Sequence, residues 1–320
     1  MTDAGEPLYK LIAQIRKPVA LREIMAQCLR HIYRGDPLSD GKAVLPVPPK
    51  ELFDDVTVKE VMASEIRCAV YSSKRPAVGL LLYMHGGGFV IGSSEDVDYT
   101  ARQICKLTGL TVVSVNYRLA PETVFPGALH DCLQALDWAI ERSADLALNT
   151  SSIFLAGDSA GGNLAASLAL LLKQRQRTLA GTILLAPWLD MHVEAYESFN
   201  RLAPQGIVYD AGFIGYARGV YARFEEWENP LVSPIFCNLQ ELPPTIVLVG
   251  AEDPLVDQSI QLSEIARDAG CNHIEFVVYE GMPHCFYSFP SLFDEEKDCY
   301  KRISLFVKQN LVDLQAKSSS

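Results

Sequence analysis

A chain of 320 residues, 49% hydrophobic and 21% charged, carries enough apolar material for a sizeable core, which excludes a disordered or fibrous protein. Its 39 acidic residues outnumber 28 basic ones, for a net charge of −11. A surface of that sign repels phosphate backbones and anionic headgroups, so neither nucleic acid nor a membrane is an expected partner.

Residues 1–20 show neither a long apolar stretch nor a small-residue cleavage site, and no run approaches a membrane span. A soluble, cytoplasmic protein is the expectation. Residues 7–34 read as helix, interrupted at Pro18, and 35–50 read as a linker rich in Gly and Pro. Runs at 55–62 and 65–71 suit an antiparallel pair, and 78–84 (VGLLLYM) is apolar throughout, as a strand buried on both faces must be. Further strands are predicted at 111–115, 152–156, 181–186, 245–249 and 274–279, with helices at 96–108, 125–142, 160–176, 257–269 and 291–310. Strands alternating with helices indicate an α/β fold, an eight-stranded, mostly parallel sheet covered on both faces. The interval 190–240 breaks this rhythm with an aromatic-rich, partly helical insertion suited to a lid. The expected organisation is N-terminal cap helices over 1–45, a catalytic domain over 46–190 and 241–320, and a cap insertion over 191–240.

Eight cysteines, at 28, 68, 105, 132, 237, 271, 285 and 299, contain no CxxC pair and fit neither a disulfide framework nor a zinc site. Reduced, buried thiols are expected, and neither a metal nor a cofactor. Cys285 stands out because it follows His284 directly.

The most informative stretch is Gly157-Asp158-Ser159-Ala160-Gly161-Gly162, directly after the strand SIFLA and directly before the helical run NLAASLALLL. A serine on so sharp a strand-to-helix turn is strained, and the positions two before and two after it must lack side chains. Ser159 is therefore the expected nucleophile. The second motif, His85-Gly86-Gly87-Gly88-Phe89, follows the strand ending at Met84. Consecutive glycines let backbone N–H groups approach a ligand closely, so Gly86, Gly87 and Gly88, with Gly87 and Gly88 preferred, join Ala160 as candidate oxyanion-hole donors. No GxxxxGK[ST] or GxGxxG supports a phosphate cradle, and His85 reads as a side chain that orients the loop.

Asp253 lies just after strand 245–249, where open α/β sheets build sites. Glu252 and Asp257 compete with it, but Glu252 is one residue out of phase and Asp257 reads as the N-cap of helix 257–269. His284 follows the last strand and is the expected base. The chain order Ser159, Asp253, His284 is that of the α/β hydrolases.

The motifs HGGGF, YRLAPE (Tyr117 to Glu122), GDSAGGN, APWLD (Ala186 to Asp190), EDPL and MPHCF together resemble the hormone-sensitive-lipase-like carboxylesterases, bacterial family IV, over roughly residues 75–290. The resemblance implies an α/β-hydrolase fold, a Ser-Asp-His triad and a cap built from N-terminal helices and an insertion. Cys285 departs from it, standing where relatives often carry a small residue. The implied substrates are small esters with short to medium acyl chains, bound by Phe89, Asp158, Trp188 and Phe213. An amidase, an acyltransferase or a non-catalytic binding protein are the alternatives on the same scaffold, and a homodimer through the last strand is possible.

Overall fold

Strand periodicity and the parallel crossovers set the architecture. The computed structural model describes residues 50–144, 148–206 and 208–318. The predicted helix over 7–34 and the proposed 1–45 cap lie outside the described residues. Among those residues, eight strands form one sheet: β1 (Val56–Ala63), β2 (Ile66–Ser73), β3 (Leu80–Met84), β4 (Thr111–Val115), β5 (Ile153–Asp158), β6 (Gly181–Leu185), β7 (Thr245–Glu252) and β8 (Ile274–Pro283). Their order is β1-β2-β4-β3-β5-β6-β7-β8. β2 runs antiparallel to both β1 and β4, and the remaining pairs are parallel.

Successive side chains of a strand point to opposite faces. In β3, Leu80, Leu82 and Met84 accordingly join one buried cluster, while Leu81 and Tyr83 join the other. Helices α1 (Asp98–Thr108) and α7 (Glu295–Ser318) cover the second cluster. Helices α2 (Gly127–Glu141), α3 (Ala160–Gln174) and α6 (Val256–Asp268) cover the first. Between β6 and β7 the chain makes short helical turns, including α4 (Glu197–Leu202) and α5 (Ala211–Tyr221). No described helix is long and apolar enough to cross a membrane.

Register places the chemistry. β3 and β5 are parallel neighbours with Met84 opposite Gly157, so the chain leaves both strands at one level, into His85 and Ser159 respectively. From β3 the sheet grows through β4 on one side, and from β5 through β6 on the other, which makes the β3/β5 boundary the switch point where such sheets open a crevice. β7 and β8 repeat the arrangement, with Glu252 opposite Pro283 just before Asp253 and His284. Both strands extend beyond their predicted ends, through an irregularity between Gly250 and Glu252.

One predicted cap is corrected. Leu255, not Asp257, precedes the first turn of α6, and the Asp257 carboxylate accepts the Ser198 N–H at 2.7 Å. It therefore satisfies a free donor at the start of α4 rather than its own helix.

Candidate active site

Ser159 sits between β5 and α3 with φ 54° and ψ −118°, a conformation L-residues rarely adopt and one that costs roughly 1–3 kcal/mol. Its neighbours explain the flanking glycines. A Cβ on Gly157 would lie 2.2 Å from the Gly161 carbonyl oxygen, and one on Gly161 would lie 2.0 Å from that of Met84. The turn is pinned from β6 and its exit: Ser159 N–H donates to Leu185 O at 2.9 Å, and Trp188 N–H to Ser159 O at 3.0 Å.

The glycine loop lies beside this turn. Gly87 (φ 111°) and Gly88 (φ 62°) occupy left-handed conformations, and their N–H groups meet no acceptor among the described residues. Ala160 opens α3, so its N–H has no partner within the helix. Two unclaimed donors thus lie on the glycine loop and a third at the start of α3. Tyr117, from the YRLAPE motif, donates its hydroxyl to His85 O at 2.7 Å and stacks on the His85 ring at 4.2 Å. Burial lowers the His85 imidazole to about 4, so it is neutral at pH 7 and serves the loop's shape, as expected. Gly86 lies against the Asp158 carboxylate: a Cβ there would stand 2.3 Å from Oδ2.

His284 Nδ1 and Asp253 Oδ2 are 2.7 Å apart, both side chains being buried. The other Asp253 oxygen accepts Leu255 N–H at 2.8 Å and the Tyr209 hydroxyl at 3.4 Å. Glu252 instead faces Arg201, at 3.9 Å. Burial opposes a charge on His284, but Asp253 and the adjacent Cys285 more than reverse this, and the imidazole is shifted well above its ordinary value. No hydrogen bond joins Ser159 Oγ to His284; catalytic hydrogen bonds often tighten only on substrate binding. Sequence reasoning missed Tyr209, whose ring meets the His284 imidazole edge-on at 4.9 Å. It belongs to the insertion loop, where no periodicity or motif marks it.

The four expected substrate contacts divide. Phe89 and Trp188 are wholly buried: Phe89 stacks on Tyr221 at 3.6 Å, and Trp188 Nε1 donates to Asp190 O at 2.8 Å. Both belong to the first buried cluster. Asp158 is likewise committed to the protein, accepting the Tyr83 hydroxyl at 2.9 Å. Phe213 on α5 is half-buried and lies against the glycine loop, its ring 3.0 Å from where a Cβ of Gly88 would be. Of the insertion's aromatic residues, Tyr196, Phe199 and Tyr221 are buried while Tyr216 and Phe224 are exposed. The seven described cysteines are free.

A family profile for the α/β-hydrolase fold matches residues 81–288. An arylesterase of Saccharolobus solfataricus is 34% identical over 230 residues, 71% of this chain and 74% of its own length. An esterase of Acinetobacter venetianus is 30% identical over 253 residues, 78% of this chain and 82% of its own. Among solved structures, a hyperthermophilic esterase from Pyrobaculum calidifontis superposes with a TM-score of 0.75 at 27% identity, covering 96% of this chain and 99% of that one. A hormone-sensitive lipase from a metagenome library does so with a TM-score of 0.78 at 26% identity, covering 92% and 98%. With its motifs, topology and similarities in agreement, the chain belongs to the α/β-hydrolase fold family, in its hormone-sensitive-lipase-like branch.

Proposed function

We propose that this carboxylic ester hydrolase works through Ser159 as nucleophile, His284 as general base and Asp253 as the acid that orients it. The supporting observation is the buried 2.7 Å contact between His284 Nδ1 and Asp253 at the strand ends beside the strained Ser159 turn. With Nδ1 held by Asp253, Nε2 is left to take the serine proton as Oγ attacks the ester carbonyl. The N–H groups of Gly87, Gly88 and Ala160 receive the oxyanion, each such donor being worth about 3 kcal/mol to the transition state. His284 returns the proton to the departing alkoxide, and the acyl-enzyme is then hydrolysed by water activated the same way.

Phe213, which packs against Gly88, walls the acyl site on this reading, and the substrates are small esters with short to medium acyl chains. Hydrolysis of p-nitrophenyl esters from acetate to palmitate tests this. Activity is expected to peak at short chains and to vanish in Ser159→Ala. A folded wild type inactive on every ester would overturn the reading in favour of a binding protein. We also propose a homodimer formed through the free edge of β8.

A further inference from the structure

Asp158 immediately precedes Ser159, yet its buried carboxylate takes part in neither the His284–Asp253 pair nor any ion pair with Lys or Arg among the described residues. Its two oxygens are used on the loop side. Oδ1 accepts the Tyr83 hydroxyl at 2.9 Å, and the Gly86 backbone lies against Oδ2. Tyr83 is the penultimate residue of β3 and Gly86 the second residue of the loop that β3 feeds. A Cβ on Gly86 would stand 2.3 Å from Asp158 Oδ2, so the loop rests directly on this carboxylate and only glycine permits the approach. The first glycine of the motif thus serves the clamp, leaving the next two as free donors.

The titratable groups facing Asp158 come from three elements. They are Tyr83 on β3, Tyr117 after β4, and His284, Cys285 and Tyr287 after β8. Among them only His284 gains a positive charge, and it does so at the moment it takes the serine proton. We propose that Asp158 is a positioning residue which, as the carboxylate, clamps the glycine loop through Gly86 and faces the imidazolium that forms on His284. The proposal rests on the assignment of Ser159 and His284 above.

Two consequences separate this from a merely structural role. The clamp should affect the turnover step more than ground-state binding, because the loop's free N–H groups meet their full negative charge only in the transition state. The charge should also act on His284, since a nearby anion favours imidazolium. Burial raises Asp158 to about 6, so the carboxylate prevails at neutral pH and is lost as pH falls through that value.

Asp158→Asn keeps the size and an acceptor for Tyr83 but removes the charge. Its kcat on p-nitrophenyl acetate is expected to fall about tenfold while KM changes by no more than about twofold. The acid limb of its kcat/KM profile is expected to move to lower pH, because His284 has lost a neighbouring anion. Wild-type kcat with an unmoved limb would overturn the proposal. Should the variant fail to fold by circular dichroism, Tyr83→Phe retains the ring and the charge but withdraws one donor. Asp158 then holds its proton to higher pH, His284 loses the facing anion over that range, and the acid limb is expected to move down, as in Asp158→Asn; an unmoved limb there is equally decisive against the clamp. Activity surviving in Ser159→Ala or His284→Ala would instead sink the triad itself, whatever the Asp158 variants show.

Discussion

A serine hydroxyl is a weak nucleophile at neutral pH, and in the proposed mechanism the surroundings of Ser159 correct this from two sides. The turn holds Ser159 in a strained conformation, and Asp253 raises the basicity of the imidazole proposed to take its proton. The sign of that shift fixes a pH dependence. As the proposed base His284 works only when neutral, and its folded-state value lies above the ordinary 6.5, so as pH drops kcat/KM should already be falling at a pH above 6.5. A pH–rate profile between 5 and 9 checks this; a plateau extending down to pH 5 would contradict it. Asp253→Asn, by losing the anion that raises His284, should depress the rate while moving the remaining acid limb downward.

At the scale of elements, α5 is the piece whose placement the specificity depends on. Its N-cap Asp210 accepts the Phe213 N–H at 2.7 Å, fixing the first turn, and that turn sets the Phe213 ring against Gly88. Phe213→Ala should open this wall and shift the preferred acyl chain upward by a few carbons in a p-nitrophenyl ester series; an unchanged preference would remove α5 from the binding site. The same elements show why some of the structure is readable from sequence. β3 to β6 stand out because strands buried on both faces must be apolar throughout, and Ser159, Asp253 and His284 each follow a strand beside Gly or Pro. The extra length of β7 and β8 is not readable, because Gly250-Ala251-Glu252 and Glu280 to Pro283 pair across an irregularity where alternation disappears. Nor can spacing tell that Phe89 turns into the core. That orientation is decided by Tyr221, far along the chain, stacking on its ring. Nor can spacing tell that the Asp158 carboxylate accepts the Tyr83 hydroxyl, which only the pairing of β3 with β5 brings to it.

For the molecule as a whole, β8 has a strand neighbour on one side only among the described residues. No described strand pairs with its outer edge, and Val278 is 47% exposed. The proposed dimer would pair two such edges, so sedimentation should give twice the 35.3 kDa chain mass, and Val278→Pro should return it to the monomer. A purely monomeric wild type would dismiss the dimer without touching the triad. The same strand has a bearing on how the protein comes into being. Translation delivers the glycine loop and Ser159 well before it delivers Asp253, and His284 comes after both. A chain emerging from the ribosome can thus set its serine in the tight turn while the group that would arm it has yet to be made. On the proposed triad, reactivity would wait on the last strand, and the growing chain would be spared a live nucleophile during its own synthesis.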